Sequence, residues 1–207
     1  LGIGFEFTEN DGPQIAKPVR TVRDIDAVTE RIDARSSLGY VMETVRRVRA
    51  GLSQGVPLIG FSGAPFTLAS YAIEGGGSKE YRETKRLMYS DEGAWNALMA
   101  KLTNAVIDYL NAQIEAGAQA VQIFDSWIGA LGPWDYVRYV QPHMKRLFAE
   151  LDKSVPSIHF GTGTATLLKH QLEAGGDVIG FDWRVELGPT WQALGAKAVQ
   201  GNLEPYS

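Results

Sequence analysis

Short apolar runs recur along this chain near residues 3 to 7, 57 to 61, 120 to 124, 157 to 160, 178 to 181 and 198 to 201, and helical periodicity fills most of the gaps. Strands separated by helices do not pair as hairpins. Each crossover returns the chain so that the next strand lies parallel to the last, and right-handed connections leave few topologies. Glycine or polar residues follow several of the runs, and no GxGxxG follows the first. This pattern predicts an α/β fold of (β/α)8 TIM-barrel type rather than a doubly wound dinucleotide-binding sheet.

A whole barrel of this type takes about 250 residues, whereas the sequence has 207 and about six βα units. We therefore expect one incomplete barrel domain spanning 1–207. The chain opens at Leu1 in what reads as mid-strand, so we expect an internal piece of a longer protein. By itself the piece is expected to be inactive, and insoluble or molten, because an open barrel exposes strand edges and its inner face.

Helices are predicted near 24–29, 36–52, 79–89, 91–116, 134–140, 142–151, before Ala174-Gly175 and around 189–194. Two are amphipathic. In 36–52 the buried stripe would be Leu38, Val41, Met42, Val45, Val48 and Leu52; in 91–116 it runs from Trp95 through Leu102 to Ile114. Arg46, Arg47 and Arg49 read as a solvated face rather than a ligand patch.

A net charge of -4 disfavours a nucleic-acid surface, and an anionic ligand would need a local basic pocket. No run approaches the 18 or so apolar residues of a membrane helix, so a cytoplasmic protein is expected. With no cysteine, and with His143, His159 and His170 the only histidines, no metal site is expected.

Chemistry concentrates in residues 60–77, GFSGAPFTLASYAIEGGG. Gly60 and Gly63 allow close backbone approach, Pro65 suits the first turn of a helix, and Tyr71 would stand on that helix above a strand end. A second constellation follows the strand at 120–124: Phe124, Asp125, Ser126 and Trp127, then Leu131-Gly132-Pro133. The GTGTA at 161–165 could cradle phosphate through backbone N–H groups, but no Lys-Ser/Thr pair accompanies it, and a tight turn is preferred. GFDW at 180–183 and QGNLEP at 200–205 close the series.

Together these motifs, running through nearly the whole chain, resemble the uroporphyrinogen decarboxylase family. The resemblance implies a distorted TIM barrel, a homodimer, a tetrapyrrole substrate (uroporphyrinogen III), and removal of four acetate carboxyls to give coproporphyrinogen III in haem biosynthesis. It implies no cofactor, because a protonated pyrrole is its own electron sink. On the matching positions it places Tyr71 near the reacting acetate as a catalytic and substrate-binding group, Ser126 as a donor to substrate, Phe61 and Phe124 as the apolar wall, and Gly63 at the pocket. The family's Trp-x-Met-Arg-Gln-Ala-Gly-Arg segment and its aspartate lie upstream of the matched motifs, and its histidine lies downstream. Two positions depart: Trp127 stands where many members have histidine, which argues against proton transfer there, and Glu204 stands for aspartate. Asp125 belongs to a different strand end from the family's aspartate and reads as a backbone cap. Two other readings share the barrel: a zinc- or corrinoid-dependent methyltransferase, and a barrel that binds tetrapyrrole or a protein without catalysis.

Overall fold

A computed structural model describes residues 1–8 and 12–204 of the chain. Its first elements are two short strands, β1 (Phe5–Thr8) and β2 (Gly12–Ile15), followed by helices α1 (Val22–Ala27), α2 (Ala34–Ser37) and α3 (Gly39–Gly51). The repeating part begins at β3 (Ile59–Gly63) and continues through α4 (Pro65–Glu74), α5 (Arg82–Ser90) and α6 (Glu92–Glu115). Then come β4 (Ala120–Asp125), a 3-10 turn (Ile128–Ala130), α7 (Pro133–Tyr139) and α8 (Gln141–Glu150). The last units are β5 (Ser157–Gly161), α9 (Leu168–Ala174), β6 (Val178–Gly180), α10 (Leu187–Leu194) and β7 (Val199–Gln200).

Strands β3 to β7 form one parallel sheet in sequential order. A doubly wound sheet reverses its strand order at a switch point, and this one does not, so it is an arc of a barrel. Five parallel strands are present among the described residues where six were expected. The predicted first strand, 3–7, instead pairs antiparallel with β2, Phe5 opposite Ile15 and Glu6 opposite Gln14. A tertiary contact holds this hairpin, Ile15 N–H donating to Gly75 C=O (2.7 Å), and its ladder is extended by Ala16 N–H donating to Gly4 C=O (3.2 Å). The segment after Phe7, TENDGPQIAKPVR, has the Gly-Pro and Lys-Pro punctuation of an ordered loop; part of it is instead strand, and its residues 9–11 lie outside the described residues.

β3 starts two residues later than predicted, because Pro57 has no N–H to offer a ladder and pairing begins at Ile59 opposite Ala120. The outer edge of β3 is engaged by a side chain. Gln113 of α6 accepts from Phe61 N–H (3.0 Å) and donates to Phe61 C=O (2.9 Å), as a neighbouring strand would. Gly60 makes this possible, since a Cβ there would lie 2.8 Å from the Gln113 amide oxygen.

Most of the core lies between the helices and the outer face of the sheet. Val121 and Ile123 of β4 meet Trp95, Leu98, Leu102, Val106 and Leu110 of α6, all buried. Asp91 caps α6 by accepting Ala94 N–H (2.9 Å), as its position before the helix predicts. The stripe predicted for α3 is only partly used: Met42 is buried and Val41 and Val45 pack beside it, whereas Val48 is 43% exposed. Alternation along β3 puts Ile59 and Phe61 on the inner face, where they are 43% and 60% exposed.

Candidate active site

Three phenylalanines line the inner face across three strands. Phe61 and Phe124 meet edge-to-face with centroids 6.0 Å apart, and Phe124 meets Phe160 in the same way at 5.6 Å. Register explains the row. Phe124 stands level with Gly63 on one side and Phe160 on the other, and Phe160 stands level with Gly180. Phe61 is one pleat further in, opposite Gln122, so it touches Phe124 diagonally rather than from an adjacent strand end. Gly180 leaves room for Phe160, because a Cβ there would fall 2.8 Å from its ring. At Gly63 a Cβ would come within 3.1 Å of Leu68, which keeps the turn into α4 tight. Phe160 was not among the expected site residues; its signal was its place at the end of an apolar run, one pairing step from Phe124.

Tyr71 projects from α4 and stacks on Trp127, with centroids 4.7 Å apart and ring planes 11° from parallel. Tyr81 packs against the same indole at 5.4 Å. Trp127 thus supplies an aromatic platform where many relatives were expected to carry a histidine. Tyr71 also borders an apolar cavity of about 540 Å3 with Leu1, Ile3, Phe5 and Leu68. Ser126 borders a different hollow, of about 350 Å3, and its backbone carbonyl accepts from the Thr162 hydroxyl. The structure therefore joins Phe61 to Phe124 and Tyr71 to Trp127, while Tyr71 and Ser126 border separate cavities, of which Trp127 lines the second.

Asp125 alternates with Phe124 and so points away from the inner face, into the helical layer. It is fully buried, accepts from Thr67 Oγ1 (2.9 Å), and leaves Oδ2 without a hydrogen-bond partner among the described residues. Burial raises its pKa to about 7 against the opposing hydrogen bonding from Thr67. Thr67 Oγ1 in turn accepts from Trp127 N–H (3.3 Å). The expected backbone cap is thus made through a hydroxyl, and it secures the residue on which Tyr71 stacks.

At the tip of the GTGTA turn Gly163, at φ 67°, donates its N–H to Asp182 Oδ2 (2.6 Å), so that N–H is already committed within the fold. Asp182, almost wholly buried, also accepts from Arg184 N–H (3.0 Å) and Arg184 Nη1 (2.8 Å). In the last motif Asn202 donates to Val185 C=O, and residues 205–207 lie outside the described residues.

No three His, Asp or Glu side chains converge as metal ligands among the described residues. His143 bonds Asn96 Oδ1 at 3.0 Å, His170 pairs with Glu173, and His159 is buried with Nδ1 against Gly175 C=O at 3.2 Å. Burial lowers the pKa of both His143 and His159 to about 4.

A family profile described as uroporphyrinogen decarboxylase matches residues 1–207. The chain is 52% identical to a uroporphyrinogen decarboxylase of Carboxydothermus hydrogenoformans, the match covering 100% of this chain and 59% of that protein. It is 51% identical to the enzyme of Sorangium cellulosum (99% and 59%) and 50% identical to that of Thermus thermophilus (99% and 60%). The chain thus spans about three-fifths of the length of these curated relatives. Among solved structures it is similar in fold to a methyltransferase from Methanosarcina mazei, with a TM-score of 0.82 and 15% identity over 100% of this chain and 61% of that one.

Proposed function

The chain belongs to the uroporphyrinogen decarboxylase family, and from that membership we propose that the protein decarboxylates the four acetate side chains of uroporphyrinogen III to methyls, giving coproporphyrinogen III. The methyltransferase likeness, at 15% identity, concerns the fold alone. The observation that carries the proposal is the Phe61–Phe124–Phe160 row on the inner face, with the stacked Tyr71–Trp127 pair carried by the helix that follows β3 and the loop that follows β4.

In the proposed step the pyrrole is protonated and becomes an electron sink. The bond between the acetate CH2 and its carboxylate breaks, its electron pair flows into the ring, and carbon dioxide leaves. A proton taken up at the CH2 carbon then gives the methyl, and loss of the first proton restores the pyrrole. The balance is one proton in and one carbon dioxide out for each acetate. No oxidant is needed.

The phenylalanine row would contribute a dry surface. A carboxylate against it loses hydration, and that raises its energy relative to a transition state in which the charge is dispersed. Tyr71 would donate its O–H to the reacting acetate and hold its orientation, with the ring fixed by Trp127. Ser126 would bind a carboxylate, and Gly63 would leave the ring edge room beside Phe124. The proposal includes a cytoplasmic homodimer that acts on neither nucleic acid nor membrane, as the family resemblance implies. No helix among the described residues is long and apolar enough to cross a membrane.

The test is incubation of the full-length protein with uroporphyrinogen under reducing conditions, with chromatography of the oxidised products. Hepta-, hexa-, penta- and tetracarboxylic porphyrins should appear in turn. Tight binding without loss of carboxyls would instead make this a tetrapyrrole-binding barrel.

A further inference from the structure

A chain of net charge -4 must bind a polyanion through some local concentration of positive charge. The hollow of about 350 Å3 bordered by Ser126 contains one. It opens at the C-terminal ends of β4 and β5, and two cations reach it from separate loops: Lys79, just past the triple glycine that follows α4, and Arg184, four residues past β6. No acidic side chain lines it among the described residues. Lys79 is exposed and has no ion pair among the described residues.

Arg184 is held in place before any ligand arrives. Its Nη1 and backbone N–H are bound to the buried Asp182, and its Cζ sits 3.9 Å over the ring of Trp183. Nε and Nη2 have no acceptor among the described residues, and the side chain is 53% exposed. A guanidinium fixed in this way loses little freedom when it takes up a carboxylate. Ser126, Thr162 and Trp127 also line it, with the Thr162 hydroxyl donating to the Ser126 carbonyl.

We propose that Lys79 and Arg184, with Ser126, form a carboxylate-receiving subsite that anchors a peripheral side chain of the tetrapyrrole other than the acetate being decarboxylated. This rests on the decarboxylase reading above. The chemistry excludes the reacting acetate from this place: a cationic, water-accessible hollow stabilises a carboxylate in its ground state, which opposes its loss as carbon dioxide. The leaving carboxylate belongs on the phenylalanine side. A spectator carboxylate belongs here, where binding energy remote from the reacting centre sets the orientation of the ring.

The test uses the full-length enzyme and the variants Lys79→Gln, Arg184→Gln and the pair together. Steady-state decarboxylation is measured alongside equilibrium binding of an octacarboxylic porphyrin, read by quenching of tryptophan fluorescence. Each single variant should raise KM and the porphyrin Kd about fivefold, and the pair tenfold or more, with kcat lowered less than about twofold. The salt dependence of KM should be shallower in the pair, and Lys79→Arg should restore the wild-type KM. Because Lys79 is exposed and has no ion pair among the described residues, its variant tests the subsite even if Arg184→Gln disturbs Asp182. An unchanged KM and Kd in the Lys79 variant and the pair, with an active wild type, would overturn the subsite and leave the decarboxylase reading standing. A fall in kcat at constant KM would also overturn it, since it would place these groups at the reacting centre. An inactive wild type would sink the decarboxylase reading, and the porphyrin Kd would still decide the subsite.

Discussion

A carboxyl that cannot reach water changes how the whole protein responds to pH, and Asp125 is such a group. Its folded pKa of about 7 lies above the ordinary 3.8. The stability it contributes is therefore fully present below pH 3.8 and is lost as pH rises through 7. Asp125→Asn removes that loss while keeping an acceptor for Thr67. Relative to wild type, the variant should gain roughly 2–4 kcal/mol between pH 4 and pH 8, read as the shift in urea midpoint. No pH-dependent gap would mean that Asp125 is ionised in the folded state. Buried His159 slopes the other way: with its pKa lowered to about 4, its contribution is present above pH 6.5 and is lost as pH falls toward 4. Tyr71 tests the chemistry itself. Tyr71→Phe keeps the stack on Trp127 and removes only the hydroxyl, so kcat should fall about tenfold, or about 1.4 kcal/mol; an unchanged kcat would take the hydroxyl out of the mechanism. The residues Tyr71 and Trp127 could be singled out from sequence, yet their stacking could not. One stands on a helix and the other on a loop 56 positions later, and only the docking of α4 on β4 brings the rings together.

At the scale of elements, legibility followed the strength of the local signal. The sequence pattern marks α4 as a helix over 67–73, and the structure extends it to Pro65–Glu74, with Pro65 in its first turn and Gly75 at φ 91° closing it. The β1–β2 hairpin is not marked in this way, because GPQI has neither the β-branched content nor the alternation of a strand and is held by its pairing with β1 and the bond from Ile15 to Gly75. Phe160 is hidden for a similar reason: its strand is legible as an apolar run, but the register that aligns it with Phe124 is a property of the sheet. Gly180 shows what that register demands. A side chain there meets both the ring and the backbone of Phe160, the nearest atoms at 2.8 and 3.1 Å. Gly180→Val is expected to cost about 1–3 kcal/mol and to push Phe160 off the row. Thermal melts read the first effect, and a raised KM in the surviving enzyme reads the second.

On the scale of the whole molecule, parallel order and helical crossovers were legible because each βα unit repeats the same pattern of apolar run, turn and amphipathic helix. Sequential strand order then leaves a curved sheet whose concave side is only partly covered. Ile59 and Phe61 on that side, and Phe5 on the hairpin beyond it, are 43%, 60% and 59% exposed. An apolar cavity of about 540 Å3 opens between the hairpin, α4 and α6. Residues 1–207 expressed by themselves should therefore bind a hydrophobic dye strongly and self-associate, whereas the full-length protein should do neither. A dye-silent, monomeric, cooperatively melting segment would show that this surface is tolerated in water.

The amide of Gln113 gives the fold a measure of length. It meets both polar groups of Phe61 only when α6 lies at one height along β3, and the bare Cα of Gly60 admits it at that height alone. Sliding the helix by a single turn, about 5.4 Å, would bring Tyr109–Leu110 or Ala116–Gly117 to Phe61, none of which carries a side-chain amide for its N–H and C=O. The segment from Gln113 to Ala120 is too short to absorb such a slip, so the same contact also decides where β4 begins. One glutamine thus works as a ruler: it sets the level at which Phe124 arrives beside Gly63, and through it the height of every ring on the inner wall.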